Sequence, residues 1–145
     1  MSMQRSQTYS RGYPLQRLFV PIPLVSFALA LATDILFWQT VNLMWQNFSA
    51  WLLFAGLIGG AIAIIAGLID LLRPSTRLLR PRLPEILGFL VILALAVLNG
   101  LVHAGDGWTA VVPNGLALSA ATFLIILLTL VFAARSERAL NWRMP

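Results

Sequence analysis

Apolar residues run through this chain in four long blocks, separated by short polar or turn-forming stretches. The blocks cover about Phe19 to Met44, Phe48 to Leu72, Leu83 to Val102 and Val111 to Ala134. Each matches or exceeds the roughly 20 residues that carry a helix across the hydrocarbon core of a bilayer. The pattern predicts an all-α membrane protein, a four-helix transmembrane bundle with tails at residues 1–18 and 135–145. Pro21 and Pro23 suit the first turn of the first helix, where a missing N–H costs little. Asn47 and Ser49 are candidate caps for the second helix. Pro81 and Pro84 open the third, and Ala104-Gly105-Asp106-Gly107 reads as a turn before the fourth.

Within the blocks, small and polar residues recur at helical spacing. Ser26, Ala30, Asp34, Trp38 and Asn42 fall at steps of four. Ala55, Gly59, Ala63 and Gly67 do the same, beside Gly56 and Gly60. Glycines spaced this way let helix backbones approach closely in lipid, so Gly56, Gly59, Gly60 and Gly67 are the expected packing residues. The third block carries Glu85, Gly88, Ile92, Ala96, Asn99 and His103, and the fourth Gly115, Ser119, Thr122, Ile126, Thr129 and Ala133. Turning these four stripes toward one another leaves an apolar exterior for lipid.

Charge then gives direction. The chain has 145 residues, 59% hydrophobic and 10% charged, where a soluble domain keeps about a quarter of its residues charged. All ten basic residues are arginines, and they occupy alternate gaps. Arg5, Arg11 and Arg17 precede the first block. Arg73, Arg77, Arg80 and Arg82 lie between the second and third, and Arg135, Arg138 and Arg143 follow the fourth. The positive-inside rule places that side, with both termini, in the cytoplasm. Trp38, Trp45, Trp51 and Trp108 gather toward the opposite face, as an aromatic belt does. Arginines beside apolar blocks point to anionic headgroups as partners rather than to nucleic acid. A cleaved signal peptide ending at Ala30-Leu31-Ala32 is the rival reading of the N-terminus. It is disfavoured because the apolar run continues through Ile35 to Met44.

Depth sorts the polar residues into layers. Asp34 lies about fifteen residues, roughly 22 Å, along the first helix. The same distance along the others reaches Gly59, Asn99 and Ser119. Asp34, Asn99 and Ser119 therefore form the candidate intramembrane polar site, with glycine leaving space in the second helix. An ionisable group at such depth is a functional candidate by default, set against a packing role for a hydrogen-bonded Asp. Asp70 and Glu85 are expected to pair with Arg73 and Arg82 at the cytoplasmic edge. His103, Asp106 and Trp108 are placed with Trp45 at the outer face.

The run Pro21-Ile22-Pro23-Leu24 leading to Thr33-Asp34, and Gly56-Leu57-Ile58-Gly59 leading to Gly67-Leu68-Ile69-Asp70, resemble the bacterial membrane proteins grouped as domain of unknown function 2231. Trp45-Gln46-Asn47-Phe48-Ser49-Ala50-Trp51 and the stretch from Val102 to Thr109 resemble a subgroup of that family. The resemblance covers about residues 13 to 133. It implies a four-helix protein of the bacterial inner membrane and brings no established activity. Relatives with His near the start of spans one and three differ from this chain, which has Gln16-Arg17 and Pro84-Glu85 there.

No cysteine and a single histidine exclude disulfides, thiolate metal sites and a haem or zinc held by two imidazoles of this chain. No metalloprotease, nucleophile-elbow or phosphate-loop motif occurs. The expectation is therefore a non-catalytic membrane subunit or scaffold with no cofactor, acting as a homo-oligomer or beside a membrane-complex partner. The alternative is a small proton-linked carrier or lipophilic-ligand binder centred on Asp34.

Overall fold

A computed structural model describes residues 13–105 and 110–141, and the side chains of 77–79, 110 and 136–141 lie outside the description. Helix α1 (Leu15–Phe19) runs through a single turn residue into α2 (Pro21–Thr40). α3 (Leu43–Leu72) follows, then a short tight helix at Pro74–Leu79, then α4 (Leu83–Ala104). An irregular segment, Ala110–Gly115, leads into α5 (Leu116–Asn141). Four spans of 22 to 30 residues are long and apolar enough to cross a membrane, the shortest measuring about 33 Å at 1.5 Å per residue.

The helix boundaries differ from the pattern reading at the α2–α3 corner. Val41 adopts a left-handed conformation, φ 54°, and closes α2 at Thr40. Asn42, not Asn47 or Ser49, is the cap of α3, its side chain accepting from the Met44 N–H at 3.0 Å. Gln39, Thr40 and Asn42 at this corner are polar but uncharged and are flanked by Leu36, Phe37, Leu43 and Met44, so hydropathy averaged over a span-length window runs on to Met44. At the other end, Pro21 does not begin the first span. It takes the first position of α2 after α1 has already formed a turn.

α2 packs on α3 and α5, and α4 packs on the same two helices, so α2 and α4 occupy opposite corners of a square bundle. The starts of α1 and α4 and the end of α3 share one end with Arg17, Arg73, Arg80 and Arg82, here termed the arginine end. Trp38, Trp45 and Trp51 mark the other, the tryptophan end. Between them Phe27, Ala30, Leu53, Ile92, Ala96 and Ile126 form the apolar core. Large apolar side chains such as Ile58, Ile65, Leu68, Leu87, Leu98 and Leu128 point outward, as lipid-facing residues do.

Glycines set the spacing nearer the arginine end. A Cβ at Gly56 would overlap the buried Phe27 ring, and one at Gly59 would lie 2.7 Å from Ile22 Cγ2. Gly60 faces the Leu93 side chain and Gly88 faces Thr129. Gly67 meets the Gln16 side chain more loosely, with 3.1 Å left for a Cβ. All four predicted packing glycines thus face another helix. Ala55 and Trp38, placed on inward stripes by spacing alone, are exposed. The buried line on α2 is instead Pro23, Phe27, Ala30, Thr33, Asp34 and Phe37.

Candidate functional site

Six polar side chains from four helices meet one to two turns from the tryptophan end. Asp34 on α2 is the centre and has no exposed surface. Its Oδ1 accepts from Ser49 Oγ of α3 at 2.5 Å and lies 3.0 Å from His103 Nε2 of α4. Its Oδ2 accepts from Ser119 Oγ of α5 at 2.5 Å. Asn99, one turn before His103 on α4, donates from Nδ2 to Ser119 Oγ at 2.7 Å. His103 Nδ1 lies 3.0 Å from the Asn99 main-chain oxygen. Thr33 completes the group, 2.6 Å from Ser49 Oγ and within bonding distance of the Leu29 and Ala30 carbonyls. Every residue of the group is buried.

The local sequence explains the convergence. Helical spacing of four puts Asn99 and His103 on one face of α4. Thr33 and Asp34 straddle the inward face of α2, and Ser49 is the first deeply buried residue of α3. On α5, Ser119 and Thr122 face inward, and Thr122 turns its hydroxyl to the Leu118 carbonyl at 2.7 Å. A carboxyl group in an apolar interior is costly without partners. Here both oxygens are occupied by protein groups, one set from each of the other three helices.

Asp34, Asn99 and Ser119, grouped by depth in the sequence, form one continuous hydrogen-bonded chain. Gly59 does not join them. It packs beside Ile22 and Pro23, several turns toward the arginine end. α3 begins at Leu43 rather than near Phe48, and Ser49 occupies the level of Asp34. His103 is a second correction, since it belongs to this group and not to an outer layer with Trp45. The first span starts at Leu15, so Asp34 is nineteen residues along it. His103 is twenty residues beyond Leu83, and the two are at one depth. A helical side chain also leans toward the N-terminus of its own helix, which carries the imidazole inward. Asp106 and Trp108 lie outside the described residues. Trp45 is partly buried at the tryptophan end, its ring 6.0 Å from that of Phe48.

At the arginine end Asp70 Oδ2 accepts from the Gln16 main-chain N–H at 2.9 Å. A carboxylate of α3 thereby caps the first turn of α1. Arg73 approaches Asp70 Oδ1 at 3.6 Å, an ion pair beyond hydrogen-bonding distance. Thr76 binds the Asp70 carbonyl at 2.7 Å and Arg80 the Leu71 carbonyl at 2.7 Å, closing the end of α3. Among the described residues neither Glu85 nor Arg82 forms an ion pair. Glu85 sits in the first turn of α4, where the helix dipole favours a negative charge without a partner. The Arg82 carbonyl accepts from the Glu85 N–H at 3.0 Å.

Sequence reasoning missed Ser49, Thr33 and the placement of His103. The usable signal was Asn42, a favoured cap residue. Reading it as the start of α3 moves Ser49 into the second turn, opposite Asp34. Among the described residues no group of three or more His, Cys, Asp or Glu side chains converges to hold a metal ion.

No curated protein and no solved structure matches the chain significantly. A family comparison does match, over residues 12–136, and its description agrees with the four apolar helices observed. The chain belongs to the family described as "Predicted membrane protein (DUF2231)".

Proposed function

We propose that this chain is a non-catalytic subunit or scaffold of the bacterial inner membrane, crossing it four times with both termini in the cytoplasm. The observation that carries this reading is the occupancy of Asp34. Both carboxyl oxygens are taken by side chains of α3, α4 and α5, so the most polar group in the bundle is spent on holding four helices in one arrangement. A buried carboxyl bonded on both oxygens rigidifies the helices that bond it. A rigid bundle with an apolar exterior suits a docking role beside another membrane protein or a second copy of this chain. The arginines of the tails and the α3–α4 connection add contacts to anionic headgroups.

A second reading, a proton-linked carrier centred on Asp34, is favoured by one specific observation. Among the described residues Asn99 Oδ1 is buried beside the network without a hydrogen-bond partner, which leaves the network one acceptor to spare.

Mass spectrometry of gently solubilised native material tests the choice. A stoichiometric protein partner or a homo-oligomer is expected. A monomer that carries protons across vesicles in an Asp34-dependent way overturns the scaffold. Reporter fusions at Gln46 and Ser75 test the topology, with periplasmic and cytoplasmic signals expected respectively. A periplasmic signal at Ser75 refutes the proposed orientation.

A further inference from the structure

The contact between Asp34 and His103 fixes a proton count. His103 Nδ1 faces the Asn99 main-chain oxygen at 3.0 Å. A carbonyl oxygen only accepts, so Nδ1 carries a hydrogen. In a neutral ring Nε2 is then bare, and it lies 3.0 Å from Asp34 Oδ1. Two lone pairs facing each other at that distance repel. One hydrogen must therefore lie between them. It sits on Nε2, giving imidazolium and carboxylate, or on Oδ1, giving imidazole and carboxylic acid. Both forms hold the same protons and carry no net charge, which suits a site enclosed by lipid-facing helices.

The other carboxyl oxygen belongs to a directed chain. Asn99 Nδ2 donates to Ser119 Oγ, so the Ser119 hydrogen is free for Asp34 Oδ2. Asn99 Oδ1, buried with its residue, has no partner among the described residues. This chain can reverse. A proton added to Oδ2 is donated to Ser119 Oγ. Ser119 then turns its own hydrogen to Asn99 Oδ1, brought round by a half-turn of the amide. The hydrogen between Nε2 and Oδ1 settles on Nε2, and the added charge rests on the imidazolium.

We infer that Asp34 and His103 form an intramembrane proton-binding site that holds one proton between them, and that Ser119 and Asn99 are the arm through which it takes a second. Ser49 faces the site from α3, Ser119 from α5, and Asn99 with His103 from α4. Asp34 and His103 are the only titratable groups of the network among the described residues. The inference goes beyond the scaffold, which needs the hydrogen bonds but not a particular proton count.

His103 is the sole histidine of the chain, so ring-nitrogen labelling of the full protein in lipid vesicles reports it without ambiguity. Magnetic resonance should show Nδ1 protonated throughout the folded range and Nε2 sharing its hydrogen with Asp34. Asp34→Asn, which can turn its amide N–H toward Nε2, should leave a neutral ring with Nε2 purely an acceptor. A ring with bare Nδ1, or a neutral ring beside an ionised Asp34, overturns the count. The parent spectrum alone decides this if the Asn variant does not fold. For the arm, acidification should bring the parent to an imidazolium ring in magnetic resonance together with a protonated carboxyl band in the infrared, and that band should be absent in Asp34→Asn. Asn99→Leu should keep the ring signals of the one-proton state and not reach this combination. An Asn99→Leu protein that reaches it as the parent does removes the arm. A stable homo-oligomer or partner complex with the wrong proton count would leave the scaffold standing and the proton site refuted.

Discussion

Near the tryptophan end α2 and α3 are joined by Thr33, Asp34 and Ser49; a few turns toward the arginine end the same helices are joined by Phe27 over Gly56 and Ile22 over Gly59. The first contact is directional. It fixes which faces meet and at what register, because a hydroxyl bonds a carboxyl oxygen only over a narrow range of distance and angle. The second fixes how near the backbones come, since lipid offers no hydrophobic gain for pressing helices together and close packing must supply the attraction. Hydrogen bonds thus choose the arrangement at one end, and glycines set its tightness at the other. Asp34 to His103 adds what packing does not, a link between diagonal helices that share no main packing face.

The comparison breaks first at its strongest point. Asp34→Leu removes the acceptor of three helices and leaves Ser49, Ser119 and His103 buried without it. The expected loss is about 3 kcal/mol, the low end for a broken buried pair because membrane hydrogen bonds average nearer 0.6 kcal/mol each. Unfolding in mixed detergent should show it, with Asp34→Asn within about 1 kcal/mol of the parent. If Asp34→Leu unfolds like the parent, the directional end is not holding the bundle.

Glycine substitutions at the other end should cost somewhat less and in a graded order. Gly56→Leu drives a side chain into the fully buried Phe27 and should lose about 2 kcal/mol, the usual range for overpacking. Gly67→Ala meets only the flexible Gln16 side chain and should lose under about 0.5 kcal/mol. Equal melting of the two variants would show that distance to a rigid neighbour is not what these glycines set. Asp70→Ala removes the cap of α1 and the Arg73 ion pair and should lose about 1 kcal/mol, as helix caps do. Ile65→Leu and Leu68→Val, on the lipid-facing side, should stay within about 0.5 kcal/mol, and a larger change would place a protein contact on that face.

The four spans, the inward stripes of α4 and α5 and the packing glycines follow from periodicity, because lipid exposure and burial differ sharply in side-chain size and polarity. The Asp34–Asn99–Ser119 chain was legible from depth counting. Ser49 and His103 were not, for one reason. Depth counting needs the helix ends, and the chain carries no charge to mark the Val41–Asn42 corner and is helical before Pro21. An error of about four residues at either place moves a polar group by more than a turn. Glu85 shows a different limit, since a carboxylate near arginines in sequence can be satisfied by its own helix terminus.

The network also has an order of synthesis. Asp34 precedes Ser49 by 15 residues, His103 by 69 and Ser119 by 85. A nascent chain that has inserted only its first two spans can satisfy one carboxyl oxygen, through Ser49. The third span brings the imidazole, and only the fourth brings a partner for Oδ2. Until then the growing protein holds a carboxyl without the Oδ2 partner that the folded bundle supplies. Completion of the last helix is therefore what completes the bonding of Asp34, and a chain truncated before Ser119 should hold its remaining helices together less firmly than the full bundle does.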